Sequence, residues 1–280
     1  IGVMLPYTGL HFMLFDEVKE PAFVMTSANP PNEPILTDNK EALKKLESTV
    51  DYFLFHNRTI AHRCDDSVVR MHGSNLTLIR RSRGYAPEPI HIAKNMKTCV
   101  LGVGAEQNAT ACILLGDKAF ISQHIGDVEN VETLEFLRGT INHLIRLTNS
   151  KIEAVTCDVH PKFSTTKLAS ELGTESKCPV IPVQHHHAHI AALMGEHNVS
   201  SIIGIACDGF GYGIDGQAWG GEILSCDTAG FKRLGHLQEQ PMLGGDLATH
   251  YPIRIAAGIL HQTTNITDWL LTNSTNLPHG

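Results

Sequence analysis

The sequence predicts an α/β protein made of two consecutive domains, and three observations carry that expectation. Short runs rich in β-branched and apolar residues alternate with stretches whose apolar positions recur at helical spacing. The 280 residues exceed the roughly 100–200 residues usual for one domain. The pattern also breaks once, at Tyr85-Ala86-Pro87-Glu88-Pro89, and starts afresh at Val100-Leu101-Gly102-Val103-Gly104. A linker is therefore expected to begin at Tyr85, with the boundary near Ile92 to Lys97, a first domain over residues 1–92 and a second over 97–280.

Taken in order, a helix is expected from Gly9. Ala22 to Met25 reads as a buried strand entering the loop Thr26 to Asn32, where Pro30 and Pro31 stop regular structure. Thr37 or Asp38 caps a helix to about Ser48, with Ala42, Leu43 and Leu46 on one face. Asp51 to Phe55 reads as another strand, and Asp66–Met71 with Leu76–Arg81 as a hairpin around Gly73-Ser74-Asn75. In the second domain, Val100 to Gly104, Ala109 to Leu115 and Lys118 to Ser122 are expected as three short adjacent strands, the last two joined by a turn at Gly116-Asp117. Leu134, Leu137, Ile141, Leu144 and Ile145 define an amphipathic helix over Val131 to Leu147. A strand (Glu153–Cys157), a helix (Thr165–Leu172) and a strand at Val180-Ile181 lead to a helix bearing four histidines. Ser201 to Cys207 and Ala218 to Ser225 then form a hairpin pair. The strand followed by a glycine-bearing turn near Val100 recurs near Ile203, which suggests two similar lobes, the arrangement of the actin-like phosphotransferase fold.

Composition narrows the function classes. A net charge of −7 argues against a general nucleic-acid-binding surface. Hydrophobic residues make up 42%, as in an ordinary globular protein, and no apolar run is long enough to cross a membrane. Seven scattered cysteines without a C-x-x-C pair read as reduced thiols of a cytoplasmic protein. The chain starts at Ile1 and reads as a segment of something longer.

Chemistry concentrates in Val183-Gln184-His185-His186-His187-Ala188-His189. On a helix, His185 and His189 lie one turn apart on one face, a metal-ligand spacing. The glutamate of an H-E-x-x-H protease is absent, which argues against that activity; a polar helix start is the plainer alternative. Asp208-Gly209-Phe210-Gly211-Tyr212-Gly213 follows a strand; alternate glycines let the backbone approach a phosphate, and the acid can hold a metal. Two histidines and Asp208 would give three ligands and an open position, the layout of a catalytic metal. In the first domain, Ser27 and Asn29 project from a strand end, where ligands commonly sit in α/β sheets. Arg63, Arg70, Arg80, Arg81 and Arg83, with Ser67, could converge on a phosphate, or form a solvated face. Trp219-Gly220-Gly221-Glu222 and Gly244-Gly245-Asp246 are further glycine-acid turns without an assigned chemistry.

With these residues in view, the chain resembles the HypF family of carbamoyltransferases of [NiFe]-hydrogenase maturation. MTSANPPNEPI (25–35), HNRTIAHRCDDSVVR (56–70) and RRSRGYAPEPI (80–90) resemble the later part of its YrdC-like domain. VQHHHAHIAA (183–192), DGFGYGIDGQAWGGE (208–222) and LGGDLATHYPIR (243–254) resemble the first half of its threonylcarbamoyl-transferase-like, actin-like domain, with the second lobe truncated. Leu243 stands where that family usually has proline.

The resemblance implies a two-step reaction. ATP with Mg and carbamoyl phosphate give carbamoyl-adenylate, and the carbamoyl group passes to the C-terminal cysteine of the partner HypE, for synthesis of the cyanide ligand. It implies that Ser27, Asn29, Arg63, Ser67, Arg80, Arg83, Gly209, Gly211 and Gly213 bind substrate or nucleotide. It further implies that His185, His189 and Asp208 are the catalytic residues and hold a divalent metal, with zinc, iron and manganese all open. Upstream and downstream parts of the family are absent from the sequence, so catalytic incompleteness is expected. The rival functions are tRNA threonylcarbamoyladenosine synthesis, O-carbamoylation by relatives with the opposite domain order, and a module that docks HypE without chemistry.

Overall fold

In a computed structural model of the chain, residues 2–245, 247–261 and 266–273 are described. The expectations for Asp246 and for the chain after Asn273 lie outside them.

The first segment carries helices α1 (Gly9–Val18) and α2 (Asn39–Leu46) and the hairpin β1 (Val68–His72) and β2 (Asn75–Arg80). Thr8 caps α1 by accepting from His11 N–H, and Asp38 caps α2 by accepting from Lys40 and Glu41 N–H, where the helix dipole favours a carboxylate. The hairpin turns at Gly73, whose φ of +62° suits glycine. Two expectations fail here. Ala22–Met25 and Asp51–Phe55 are not strands. A strand exists only where a neighbour completes its hydrogen-bond ladder, and neither run pairs with one among the described residues. Their side chains stay largely outside a core; Val24 and Tyr52 are almost fully exposed.

The main body is a four-stranded sheet of order β4-β3-β5-β6. Its strands are β3 (Ile90–Gly102), β4 (Cys112–Ile121), β5 (Ala154–Asp158) and β6 (Val180–Val183). β4 runs antiparallel to β3, whereas β3, β5 and β6 are parallel. The chain turns between Ser82 and Pro89, where the linker is expected to begin, and residues Ile92 to Lys97 lie within β3. The three expected short strands are also corrected. Gly116, with φ of +64°, does not close a hairpin but sits inside β4 opposite Met96, where the register shifts and the paired strands bulge.

Helices α3 (Val131–Thr148) and α4 (Ser164–Ser176) cover this sheet. Asn130 caps α3 by accepting from Thr133 N–H, and the helix buries Leu137, Ile141 and Leu144. These pack with Leu101, Val103, Ile113, Val155 and Leu168 into the principal core.

Helix α5 (His185–His197) leaves the C-terminal end of β6. It packs against a second, antiparallel sheet of order β11-β10-β7, formed by β7 (Ser201–Ala206), β10 (Glu222–Asp227) and β11 (Gly230–His236). Gly204 lets β7 press on α5: a Cβ there would meet the Ile190 side chain at 2.5 Å. Between β7 and β10 lies a small hairpin of β8 (Gly211–Tyr212) and β9 (Ala218–Trp219). Helices α6 (Leu247–His250), α7 (Pro252–His261) and α8 (Ile266–Asn273) follow. Among the described residues no helix is long and apolar enough to cross a membrane.

Candidate metal centre

Two chain reversals build the site. β6 ends beside the C-terminal end of its parallel neighbour β5, the edge at which ligands collect in such sheets, and α5 begins there. Gln184 starts the helix. Its Oε1 accepts from His187 N–H at 2.9 Å, while its Nε2 donates to His186 Nδ1 at 3.0 Å and to the Tyr212 carbonyl at 3.2 Å. One buried amide thus caps α5, orients a histidine and ties down the glycine-rich turn.

The four histidines divide by face. His187 stacks on Phe231 with ring centroids 4.8 Å apart, and burial lowers its pKa. His186 is completely buried, and burial holds its pKa down although Asp208 and Glu222 pull it up. His185 and His189 face Asp208, which follows β7. His185 Nε2 lies 3.3 Å from His189 Nε2 and 3.0 Å from Asp208 Oδ2, and His189 Nε2 lies 3.9 Å from the same oxygen. The structure brings these three side chains together, with donor atoms all within 4.8 Å of one another.

The cluster fits a divalent cation. Asp208 Oδ2 is buried without a hydrogen-bond partner, although three imidazoles surround it. An orphaned buried carboxylate oxygen is costly unless positive charge faces it. Metal–nitrogen and metal–oxygen bonds of about 2.0–2.2 Å put tetrahedral ligands about 3.3 Å apart, and the three donor separations bracket that value. Imidazole and carboxylate suit zinc and iron alike.

Sequence reasoning missed Asp158 and Gln184. Asp158 ends β5, and its Oδ2 lies 2.6 Å from His185 Nδ1. That hydrogen bond raises the His185 pKa against the opposing effect of burial, and the charges of Asp158 and Asp208 add to it. The available signal was an acid at a strand end, Cys157-Asp158-Val159-His160, but its partner is 27 residues away in sequence.

The glycines after Asp208 have three different settings. Gly209 opens onto free space. Gly211 is required by the histidines: a Cβ would lie 2.5 Å from His186 Cε1 and 3.1 Å from His185 Cδ2. Gly213 is filled by Trp219 and Asp215, whose side chains are hydrogen-bonded at 2.9 Å. Glu222, from the other glycine-acid turn, is fully buried. It accepts from Arg233 Nε and Nη2 at 2.6 and 2.9 Å and from Gly220 N–H at 3.0 Å.

In the first segment, Ser27 is exposed, and Asn29 Nδ2 closes its own loop onto the carbonyls of Pro30 and Glu33. Ser67, Arg80 and Arg83 gather around Asp65 and Asp66. Arg83 lies 3.6 Å from Asp66 and Arg80 4.0 Å from Asp65, and Ser67 Oγ donates to the Arg83 carbonyl at 2.8 Å. Arg81 donates to the carbonyls of Ile121, Tyr85 and Glu88 and so braces the turn before β3. Arg63 reaches instead into a cleft of about 450 Å³ against α3, its guanidinium 4.9 Å from the Phe136 ring centroid. Burial lowers its pKa. His62 stacks on His143 in the same cleft, with centroids 4.2 Å apart.

Comparison with known proteins gives one consistent likeness. Residues 95–196 match the family model described as HypF Kae1-like domain, and residues 204–277 that of the carbamoyltransferase Kae1-like domain, second subdomain. Residues 1–82 match the Sua5, YciO and YrdC model, described as telomere recombination. The chain is 51% identical over 264 residues to the probable carbamoyltransferase HypF of Methanocaldococcus jannaschii, covering 94% of this chain and 34% of the relative. It is 46% identical to carbamoyltransferase HypF2 of Cupriavidus necator, over 93% of this chain and 34% of the relative. A crystal structure of full-length HypF in a phosphate- and nucleotide-bound form superposes with a TM-score of 0.85 at 44% identity, over 95% of this chain and 41% of that one. Thermococcus kodakarensis HypF gives 0.86 at 46% identity, over 95% and 35%. The chain thus spans about a third of the length of these curated relatives.

Proposed function

The chain belongs to the HypF family of carbamoyltransferases, and from that membership we propose that it takes part in ATP-dependent transfer of a carbamoyl group to the C-terminal cysteine of HypE. The observation that carries the reading is the convergence of His185, His189 and Asp208 inside a segment similar to that family's Kae1-like domain.

In the first reaction water hydrolyses carbamoyl phosphate to carbamate and phosphate, and a carbamate oxygen attacks the α-phosphorus of ATP with release of pyrophosphate. In the second, the HypE thiolate attacks the carbamoyl carbon; a C–S bond forms, the C–O bond to the adenylate breaks, and AMP leaves. Ser27, Asn29, Ser67, Arg80, Arg83 and Arg63 of the first segment serve substrate and nucleotide, and the Arg80 and Arg83 guanidiniums supply donors to phosphate oxygens. His185, His189 and Asp208 would hold a divalent cation, zinc or iron, which when bound polarises a carbonyl or phosphoryl oxygen. Gln184 and Gly211 keep the imidazoles in place, and the open side of Gly209 leaves room beside Asp208 for a substrate oxygen. Gly211 and Gly213 shape the turn from within. As a member of this family it is placed in the cytoplasm, where it acts on a protein.

Because the chain spans about a third of its relatives, the test places it in a full-length HypF in exchange for the matching segment and supplies carbamoyl phosphate labelled in its carbonyl carbon, ATP, Mg and HypE. Label on the HypE C-terminal cysteine, dependent on ATP and lost in His185→Ala and His189→Ala, is expected. Adenylate formation from threonine and bicarbonate in place of carbamoyl phosphate would point to tRNA modification instead. HypE binding by a folded chain without nucleotide affinity or transfer would reduce it to a docking module.

A further inference from the structure

We infer that Asp158 is the positioning residue of this centre: its carboxylate holds His185 in the one tautomer and orientation that leave Nε2 free to bind a cation. The inference rests on reading His185, His189 and Asp208 as a cation site.

Asp158 is the last residue of β5, a strand paired on both sides within the main sheet, and its side chain is 4% exposed. Each carboxylate oxygen has a separate task. Oδ1 accepts from His160 N–H at 2.8 Å, closing a turn over Asp158-Val159-His160, and Oδ2 faces His185 Nδ1 at 2.6 Å. That turn is braced in its own right. Thr166 Oγ1 donates to the His160 carbonyl at 2.9 Å, and the His160 ring stacks on Phe163 with centroids 3.9 Å apart. The carboxylate therefore cannot swing to follow the histidine; the histidine must come to it.

A carboxylate only accepts, so His185 Nδ1 must carry the hydrogen. The neutral ring then has its lone pair on Nε2, the nitrogen directed at His189 and Asp208. Left unheld, an imidazole distributes its hydrogen between both nitrogens and rotates, and each wrong state reduces affinity for a cation. Carboxylate partners of metal-bound histidines typically account for about 10–100-fold in metal affinity. His189 has no such partner among the described residues apart from His185 and Asp208 themselves. Of the two histidine ligands, His185 is thus the one held by a carboxylate behind it.

The near-isosteric change Asp158→Asn separates this role from simple packing. An amide has one accepting and one donating end. If its oxygen keeps the His160 N–H, its NH2 faces His185 Nδ1 and drives the ring hydrogen to Nε2, which blocks cation binding. If it flips, the turn loses its acceptor. Only a carboxylate serves both.

The experiment titrates the metal-free chain with zinc alone, against a chelating indicator, for wild type, Asp158→Asn and Asp158→Ala, with circular dichroism and thermal unfolding to verify folding. The 15N shifts of the His185 ring are read at pH 8 before zinc is added. The expected result is a folded Asp158→Asn protein with zinc affinity at least about tenfold weaker and the ring hydrogen moved from Nδ1 to Nε2. Should Asp158→Ala fail to fold, the Asn variant alone decides. Zinc bound equally by wild type and Asp158→Asn, or an unchanged His185 tautomer, overturns the inference alone. A folded wild-type chain that takes up no zinc overturns the cation reading and this inference with it.

Discussion

His185 Nε2 stands 3.0 Å from Asp208 Oδ2, an oxygen that is buried and has no hydrogen-bond partner. With Nδ1 of the same ring engaged by Asp158, a lone pair would face a carboxylate unless a proton or a cation lies between them. The expectation is near-stoichiometric zinc or iron in the purified chain, measured by mass spectrometry of metal content, with most of it lost in His185→Ala, in His189→Ala and in Asp208→Ala. A folded wild-type chain free of metal, even after dialysis against either ion, would sink this reading.

Gly211 makes a different prediction, because it acts through space rather than charge. Any side chain there collides with the buried ring of His186, which Gln184 holds from the other side and which cannot yield. Gly211→Ala should destabilise by about 1–3 kcal/mol, as overpacking does, and weaken zinc binding by displacing His185. Gly209→Ala faces open space and should stay within about 0.5 kcal/mol of wild type. Urea unfolding of the two variants side by side checks this, and equal stabilities would contradict it.

The histidines of α5 show how far the sequence reaches. Helical spacing alone puts His185 and His189 on one face of α5, so that pair could be read directly, whereas only the fold brings Asp208 to that face. The roles of Asp158 and Gln184 could not be read either, since both depend on which strand ends beside which, a property of the folded sheet. Ala22–Met25 and Asp51–Phe55 have strand composition but no neighbour to pair with, and composition does not report neighbours. Gly116 failed for a related reason. A glycine with positive φ serves a hairpin turn or a bulge equally well, and only the register against Met96 distinguishes them.

Glu222 and Arg233 predict a structural penalty away from the chemistry. Glu222 is wholly enclosed; burial pushes its pKa up, but the Arg233 guanidinium and the Gly220 N–H outweigh that and hold it below the usual carboxylate value. Arg233 also lies over the Trp219 ring, 4.1 Å from its centroid. Glu222→Ala would leave a guanidinium without its partner and should cost about 3 kcal/mol in denaturant unfolding. A loss under about 0.5 kcal/mol, the range of ordinary surface changes, would show that the pair is not a keystone of the second sheet.

In the metal-free chain, with a chelator present, stability should depend on pH through its histidines. Burial lowers the pKa of His124, His143, His186 and His187, with Arg80 adding to the effect at His124 and His62 and Arg146 at His143. For such groups the unfolded chain takes up a proton near the ordinary value of about 6.5, before the folded chain does, so their stabilising contribution is present above that pH and is lost as the pH falls. His185 has the opposite sign: its hydrogen bond to Asp158 raises the pKa, so its contribution is present below about 6.5 and lost as the pH rises through the raised value. Four groups act against one, and the urea midpoint should fall between about pH 7.5 and 5.5, above the range in which ordinary carboxylates titrate. His143→Phe keeps a ring against His62 and removes one of the four, so it should flatten the decline. A midpoint that rises on acidification over this interval would mean that His185, not the buried set, dominates the titration.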